Sequence, residues 1–443
     1  MSRSTMLDPM LNLKSTRISE TELKRYVYLY NITLHSLAKI QGPKLRGAFD
    51  CPRYWEIWTG DVAANCKELH GRYGATVRIA PTTVSFNNAE AWQVIYGQRA
   101  GKKPFQKDED VYFSGNDGSP DIISANHADH SRIRRLLSHA FSEAALREQE
   151  PLINTYFDLL IRKLQEKIDG PAHGNVNMVR WFNFTTSDLI GDLCFSQVSK
   201  EPNTSTCSTP RTNPLGDRRD FMSYILRHND ERGMSRDEIM KTSGTLIVAG
   251  SESTATLLSG ALFHLLKSPQ NLRILVDEIR ATFDTIADMN FIKLTNIRYL
   301  NACLQEAFRM YPPVPGVLPR RVPQGGSTIN GYFLPENTSV GVHQWAAYHS
   351  ENNFSSPEEY IPERWLHDPR FASDIQNVLQ PFSLGLRNCI GQHLAMAEMR
   401  AILARVLWHF DIRLCEESQN WDQQKVFILW EKPDLFVKLE ARR

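Results

Sequence analysis

The sequence carries almost no net charge, since its 443 residues include 51 lysines and arginines against 50 aspartates and glutamates. A protein that binds nucleic acid through phosphate contacts needs a basic excess, so we expect no nucleic-acid partner. The chain also lacks any Cys-x-x-Cys pair, and its seven cysteines are scattered and odd in number. A disulfide framework or a zinc site is therefore not expected, and a reducing compartment fits the sequence best.

The amino-terminal region lacks a long apolar run. Its most apolar stretch, residues 26–37, contains polar side chains and is shorter than the roughly 20 residues that span a bilayer. No clear cleavage site of a secretory signal is present. We therefore expect a polar N-terminal segment without a membrane span at 1–34 and one folded domain at 35–443.

What the sequence does contain is a glycine-punctuated loop around Cys389, followed by a predicted helix at 392–409. Gly385 and Gly391 allow a positive φ or a close approach to a flat ligand. Cys389 would lie at the start of the helix, where free N–H groups and the helix dipole favour a thiolate. Arg387 could pair with an acidic group. These residues alone are compatible with a metal ligand, a nucleophile or an inert cysteine on a turn.

The order of residues in this loop narrows the choice. Phe382-x-x-Gly385-x-Arg387-x-Cys389-x-Gly391 fixes five positions within ten residues. It closely resembles the haem-binding loop of the cytochrome P-450 family, the haem-thiolate monooxygenases. The resemblance implies that haem b is the cofactor and that Cys389 is the thiolate ligand of its iron. It also implies a mainly α-helical, single-domain fold with small β-sheets.

A long helix is predicted from the capping box that begins at Ser235 to a stop at Ser268-Pro269. Near its middle the sequence contains small, acidic and hydroxyl residues: Ala249, Gly250, Ser251, Glu252, Ser253 and Thr254. Such a patch either admits a flat ligand or marks the crossing of another helix. The pattern resembles the distal helix of the same family, which implies that Ala249 and Gly250 border the haem. It further implies that Glu252, Ser253 and Thr254 deliver protons to dioxygen, with serine standing where threonine is usual.

The resemblance also implies that several basic residues outside these two motifs contact the haem propionates. His130 and Arg134 lie four residues apart on a helix predicted at 127–139, which alone indicates a solvated basic face. In the family this pair contacts a haem propionate, although many members have tryptophan at the first position. The resemblance also implies that Arg320 contacts a propionate, with Arg321 as the alternative.

Glu306 and Arg309 lie three residues apart on a helix predicted at 300–311. An exposed ion pair of this kind would contribute little to stability. Arg364, in the segment Pro-Glu-Arg-Trp further along, follows in the order that the family shows. The resemblance therefore implies a buried structural network of Glu306, Arg309 and Arg364 behind the haem loop.

The largest departure from the family pattern lies at about 197–219, which is rich in Ser, Thr, Pro and Asn and has the composition of a loop. In the family this place holds a pair of lid helices, with several tens of residues between the flanking elements. Here the connection is about two dozen residues long. We therefore expect altered substrate binding, or a chain that lacks its lid helices.

The remaining secondary structure was assigned from apolar periodicity and turn residues. The sequence predicts one helix over 53–71, two strands within 75–86, a short helix over 88–96, helices over 151–169 and 176–195, a hairpin over 329–342, and a final strand pair of 427–429 with 435–439.

The resemblance implies an enzyme that inserts one oxygen atom from O2 into a lipophilic small molecule. No segment resembles a flavin or nicotinamide module, so the electrons are expected from NADPH through a separate NADPH-cytochrome P-450 reductase. The candidate pocket residues are mostly apolar, which indicates a lipophilic substrate and no more. They are residues 104–125, Leu246, Ala249, Val314, Val317 and Ile428.

Two segments resemble members of fungal secondary metabolism: Ala89 with Ile95, Tyr96 and Gly97, and then Lys102 with Pro104 and Phe105. Two alternatives to the monooxygenase stay open. One is a haem-binding but catalytically impaired variant, and the other is a haem-thiolate isomerase or dehydratase that does not use O2. We expect a cytoplasmic protein or one on the cytoplasmic face of the endoplasmic reticulum, with peripheral membrane contact left open.

Overall fold

The computed structural model describes residues 20–98, 101, 103–112, 120–195, 220–229 and 233–442. The predicted connection at 197–219, Lys102 and residues 1–19 lie outside the described residues. The helices are α1 (Glu20–Leu29), α2 (Lys44–Ala48), α3 (Cys51–Thr59), α4 (Val62–Tyr73), α5 (Ala89–Ile95), α6 (His127–Ala140), α7 (Glu143–Asp169), α8 (Met178–Phe195), α9 (Phe221–His228), α10 (Arg236–Lys267), α11 (Pro269–Thr282), α12 (Phe291–Thr295), α13 (Arg298–Met310), α14 (Gln344–Tyr348) and α15 (Gln392–His409).

Three small sheets accompany the helices. Their strands are β1 (Thr76–Ala80), β2 (Thr83–Phe86), β3 (Gln106–Lys107), β4 (Asn175–Asn177), β5 (Arg320–Arg321), β6 (Ser327–Ile329), β7 (Tyr332–Leu334), β8 (Ser339–Val342), β9 (Phe410–Leu414) and β10 (Phe436–Ala441). One sheet has the order β1-β2-β8-β5-β3, another has the order β4-β10-β9, and β6 pairs with β7. The mainly α-helical architecture predicted from the sequence is confirmed.

The helix α10 runs through the protein and positions one side of the site. Its 32 residues correspond to a rod of about 48 Å at 1.5 Å per residue. Ser235 caps its first turn by accepting from the N–H of Glu238, whose side chain accepts in return from the N–H of Ser235. The middle of α10 packs against α8, and its carboxyl-terminal half is buried against α13 and α15. Among the described residues α10 alone has the length and composition to cross a membrane, and 67% of its most apolar stretch is buried inside the protein.

The helix α15 positions the opposite side of the site. It begins after Gly391 and is buried along most of its length, where it contacts α7, α10, α11, α12 and α13. The side chains packed around it belong to one continuous apolar cluster that extends over most of the described chain. Burial on this scale is the main stabilising contribution to a fold of this size, and it holds the loop before α15 against α10.

The structure corrects several predicted elements. The helix predicted over 53–71 is two helices, because Gly60 adopts a left-handed conformation at φ 77° and ends α3. The helix predicted to begin at 151 begins at Glu143 and continues through Pro151, since the packing of α7 against α8 and α15 outweighs one missing backbone donor.

Two predicted strand pairings are also wrong. The predicted partner of β10 was 427–429, but β10 pairs with β9 and with β4. The hairpin predicted over 329–342 is limited to β6 and β7, because β8 pairs in parallel with β2 and antiparallel with β5. Pairings between distant segments leave no periodic signal in the sequence, which explains both errors.

Candidate active site

A cavity of about 920 Å³ lies between the middle of α10 and the loop before α15. Its wall is mostly apolar. It brings together residues predicted from two separate motifs: Ala249, Gly250, Glu252, Ser253 and Thr254 from α10, and Phe382, Arg387, Cys389 and Gly391 from the loop.

The loop holds Cys389 by backbone contacts. The N–H of Cys389 donates to the carbonyl of Phe382 at 2.8 Å, and the ring of Phe382 meets Phe308 edge-on at 5.1 Å. Gly385 has a φ of 71°, and a Cβ there would lie 2.1 Å from the carbonyl oxygen of Tyr96. Only glycine fits that position, so the glycine in the pattern is required by the turn itself.

The thiol of Cys389 is subject to opposing influences. Cys389 is exposed to the cavity. The surrounding protein desolvates the sulfur and so raises its pKa above the usual range, while the N–H of Gly391 and the charge of Arg134 lower it. From the sequence we expect the start of α15 to favour a thiolate. In the structure this effect is opposed by desolvation of the sulfur. A metal ion bound to the sulfur would displace this proton, and the Gly391 N–H would then donate to the negative sulfur.

A cluster of basic side chains surrounds Arg387, which lines the cavity, whereas His130, Arg134, Arg320 and Lys107 are not among the lining residues. Burial, followed by the charges of Arg387 and Arg134, lowers the pKa of His130 to about 3. Burial and then Arg320 lower the pKa of Arg387 to about 10. Both pKa values are lowered first by desolvation and then by neighbouring basic groups, so an anion bound beside Arg387 would be stabilised there.

The same cluster contains an unpaired donor. Arg387 gives Nη2 to the carbonyl of Ala125 at 2.7 Å, while its buried Nη1 has no partner among the described residues. Arg134 donates to the carbonyl and the side-chain oxygen of Asn388, each at 2.6 Å. The free donor of Arg387 needs an acceptor, and the sulfur of Cys389 is available to a metal ion. A haem would supply carboxylates for the first and iron for the second. The residues present therefore fit a haem.

Arg320 and Arg321 have different contacts in the structure. The guanidinium of Arg320 is buried over the ring of Tyr96, at 5.2 Å from its centre. Arg321 instead forms ion pairs with Asp108 at 2.8 Å and Asp110 at 2.6 Å. Its charge is neutralised there, so Arg321 is not available to an anion in the cavity.

Lys107 belongs to the cationic cluster and was missed in the sequence. It lies opposite Arg320 in the pairing of β3 with β5, and burial, then Arg320 and Arg387, lower its pKa to about 7. Asp121 acts in the opposite direction. A two-residue strand carries no usable periodicity, so only the pairing reveals this lysine.

The hydroxyl groups of Ser251 and Ser253 bond backward along α10. Ser253 Oγ donates to the carbonyl of Ala249 at 2.6 Å. A Cβ at Gly250 would lie 2.9 Å from the side chain of Ile190 on α8. Gly250 borders the cavity, but the requirement for glycine comes from the crossing of α8, the alternative weighed for this patch.

Thr254 contacts a second residue that the sequence did not single out. It hydrogen-bonds to Glu398, which is buried on α15 and lines the cavity. Burial raises the pKa of Glu398 to about 8, and the bond to Thr254 works against this rise. The raised pKa favours the protonated form of the Glu398 carboxyl group at neutral pH. An isolated glutamate on an otherwise apolar helix face was the signal available.

Glu252 lines the cavity and is paired with Lys432 from the other end of the chain. The pocket predicted around it is only partly correct. Leu246, Ala249, Val314 and several residues of 104–125 line the wall, together with Leu318 and Leu429. Val317 pairs with His343 instead, and Ile428 is 81% exposed. The next residue along the chain lines the cavity in each case, Leu318 after Val317 and Leu429 after Ile428.

Glu306, Arg309 and Arg364 form one buried cluster behind the loop. Arg309 donates to Glu306 Oε1 at 2.7 Å and Arg364 donates to the same oxygen at 3.0 Å, with all three side chains 0% exposed. Trp365 Nε1 donates to Glu306 Oε2 at 2.8 Å. Arg364 is also paired with Asp374. The cluster joins α13 to the segment that precedes the cysteine loop.

A sequence profile of the family described as Cytochrome P450 matches residues 55–209 and 200–439. Cytochrome P450 monooxygenase efuB of Hormonema carpetanum is 39% identical, over 93% of this chain and 93% of its own. Trichothecene C-4 hydroxylase of Trichoderma arundinaceum is 38% identical, over 94% of both chains. The chain belongs to the cytochrome P450 family. It is a P450 monooxygenase of fungal secondary metabolism, and its family uses haem, dioxygen and a small-molecule substrate.

The alignment with efuB is longer than this chain. The alignment with efuB extends over 470 residues, which exceeds the 443 residues of this chain, so the relative carries residues that have no counterpart here. The two profile matches meet at 200–209, inside the stretch where the sequence predicted missing lid helices.

Proposed function

We propose that the protein holds haem b through Cys389 and uses it to insert one oxygen atom from O2 into a lipophilic secondary metabolite. The observation that supports this most strongly is that Cys389 and the hydroxyl stretch of α10 line one mostly apolar cavity, which Arg387 of the cationic cluster also lines. Haem supplies the activation of dioxygen, for which amino-acid side chains have no equivalent.

The loop side of the cavity would bind and orient the cofactor. Cys389 would ligate the iron, and the N–H of Gly391 would hold negative charge on the sulfur. Arg387, Arg134 and His130 would meet the propionates, together with Arg320 and Lys107. Each of these contacts would relieve repulsion already present in the cationic cluster, so binding energy and charge balance act in the same direction.

The α10 side would handle protons and substrate. Glu252 is partly exposed and also lines the cavity, so it can pass a proton from solvent inward. Ser253 and Thr254 would hold the receiving water, with Ser253 Oγ fixed by its bond to Ala249. The apolar remainder of the wall would exclude bulk water and hold an apolar substrate.

The proposal extends to an electron donor and a location. We infer that electrons come from NADPH through a separate NADPH-cytochrome P450 reductase, because no part of the sequence resembles a flavin or nicotinamide module. A cytoplasmic position, or one on the cytoplasmic face of the endoplasmic reticulum, would give access to that donor. Peripheral membrane contact would be compatible with either.

The test supplies the purified holoprotein with reductase, NADPH and isotopically labelled dioxygen. A panel of lipophilic terpenoids and polyketides, including a trichothecene, serves as substrate, and mass spectrometry reads the products. We expect one labelled oxygen atom in at least one product. Products that carry oxygen only from water, or that form without NADPH, would instead indicate the isomerase or dehydratase alternative.

A second candidate is a haem-binding protein without turnover, and the shortened connection at 197–219 favours it. If the lid helices are needed to close the cavity, the holoprotein would bind carbon monoxide normally. It would then consume no oxygen above the rate of reductase alone with any compound of the panel. The retention of Glu252 and of the α10 hydroxyl groups favours the active enzyme.

A further inference from the structure

Lys432 lies between Trp430 and β10, and its ammonium group reaches the carboxylate of Glu252 on α10. Lys432 Nζ donates to Glu252 Oε1 and, at 2.6 Å, to Thr256 Oγ1. Thr256 Oγ1 donates in turn to Glu252 Oε1 at 3.3 Å. Because Glu252 and Thr256 are four residues apart on one helix face, the three side chains form a closed ring.

This pair differs from a surface ion pair. The side chain of Lys432 is 5% exposed, whereas that of Glu252 is 31% exposed. Glu252 lines the cavity, whereas Lys432 and Thr256 are not among its lining residues. A buried ammonium group needs a counter-charge, and breaking such a pair is costly. Glu252 is therefore held from the side that faces away from the cavity.

The segment that carries Lys432 is fixed on both sides. Trp430 Nε1 donates to the carbonyl of Pro312 at 2.7 Å. Trp421 Nε1 donates to the carbonyl of Pro433 at 2.9 Å. Lys432 thus projects from a short backbone stretch with buried anchors immediately before and after it, so its ammonium group has little freedom to follow a moving carboxylate.

We propose that Lys432 is a positioning residue for proton delivery, which fixes the orientation of the Glu252 carboxylate at the cavity wall. The inference rests on the role proposed for Glu252. Lys432 and Thr256 both bond to Oε1, so Oε2 is the oxygen that exchanges protons with water in the cavity. Without the ammonium group, the carboxylate turns freely about its side-chain bonds and spends less time facing the cavity.

The experiment compares Lys432→Met, which removes the charge, with Lys432→Arg, which keeps it. Lys425→Met is the matched control, because Lys425 lies in the same segment and pairs with Asp61 at the surface, at 3.0 Å with 50% exposure. Each reduced holoprotein is mixed with carbon monoxide, and infrared spectroscopy records the C–O stretching band, which reports the electric field in the cavity. Peroxide released per NADPH is then measured with reductase present.

We expect Lys432→Met to shift or broaden the C–O band and to raise the peroxide yield several-fold. Lys432→Arg should return both readouts toward the parent, and Lys425→Met should leave both unchanged. A merely structural lysine would lower the urea midpoint without moving the band of the folded holoprotein. That result would overturn the proposal.

The variant Glu252→Gln shows whether a negative result contradicts the role proposed for Glu252 or only the role proposed for Lys432. If Glu252→Gln changes neither readout, the role of Glu252 fails and the inference fails with it. If Glu252→Gln changes both while Lys432→Met changes neither, only the inference is overturned. Should Lys432→Met not fold, Thr256→Val, which removes the third member of the ring, is measured in its place. It should shift the band in the direction seen for Glu252→Gln, and a band at the parent position would overturn the inference.

Discussion

Two residues at the cavity wall are buried at a cost in free energy. Arg387 has a buried donor without a partner among the described residues, and Glu398 is a carboxyl group in an apolar interior, where it hydrogen-bonds to Thr254. Removing such polar groups from water opposes folding. Both lie at the cavity wall, which is where such costs are expected if the site serves a function.

Glu398 predicts a pH dependence of stability. Its pKa is raised from 4.5 to about 8, so between these pH values the folded state keeps a proton that the unfolded state has released. The contribution of Glu398 to the free energy of unfolding should therefore fall as pH rises, by about 1.4 kcal/mol per pH unit. Urea titrations of the holoprotein from pH 5 to 8 should show this fall as a change, with pH, in the difference between the parent and Glu398→Gln. The exposed control Glu431→Gln should follow the parent, and parallel curves for Glu398→Gln would contradict the account.

Arg387 predicts a loss of cofactor retention. Replacing it with methionine would remove the charge-assisted contact that we propose between Arg387 and a propionate, and such a contact is worth about 1.5–3 kcal/mol. Haem should therefore pass to apomyoglobin at least about tenfold faster than from the parent. Arg370→Met removes an exposed guanidinium paired with Asp368 and should leave the transfer rate unchanged. Equal rates for the two variants would show that Arg387 does not hold the cofactor.

At the scale of elements, the site depends on how loops are tied to helices. The buried cluster of Glu306, Arg309 and Arg364 joins α13 to the chain before the cysteine loop. A partner removed from such a cluster strands a buried charge. Arg364→Met should therefore lower the free energy of unfolding by about 3 kcal/mol, as measured by the urea midpoint. Replacing Glu306, Arg309 and Arg364 together with apolar residues should cost less than the sum of the single replacements, and simple additivity would contradict a coupled network.

The cysteine loop itself predicts a sharp steric effect. Gly385→Ala places a Cβ against the carbonyl of Tyr96 and forces alanine to a positive φ. It should destabilise the protein by at least about 1 kcal/mol and reduce its haem content. Gly71→Ala on α4 meets open space and serves as the control. A fully haem-loaded, equally stable Gly385→Ala protein would show that the loop is not confined as described.

Local chemistry allowed many elements to be predicted from the sequence. The capping box at Ser235 located α10, and the glycine pattern located the loop before α15. The predictions failed where distant segments decide the outcome, as for the partner of β10 or the ion pairs of Arg321. The burial of Glu398, the place of Lys107 beside Arg320 and the pairing of Lys432 with Glu252 are not predicted from the sequence, because these residues acquire their neighbours only when the chain is folded.

At the scale of the whole molecule, the cavity is assembled from segments that lie far apart in the sequence. The loop after β3, the helix α10 and the loop before α15 each contribute one wall. Their relative positions depend on the apolar cluster that surrounds α10 and α15. One folded unit is therefore needed to bring the Cys389 thiol, the basic cluster and the hydroxyl groups of α10 around a single cavity.

The most direct measurement is the absorption spectrum of the reduced protein under carbon monoxide, which reports sulfur ligation of haem iron. We expect the red-shifted band of a haem-thiolate complex for the parent and for Cys51→Ser, which alters an exposed cysteine. Cys389→Ser should lose that band. The account is contradicted if Cys389→Ser keeps the parent's band, or if the parent binds no haem.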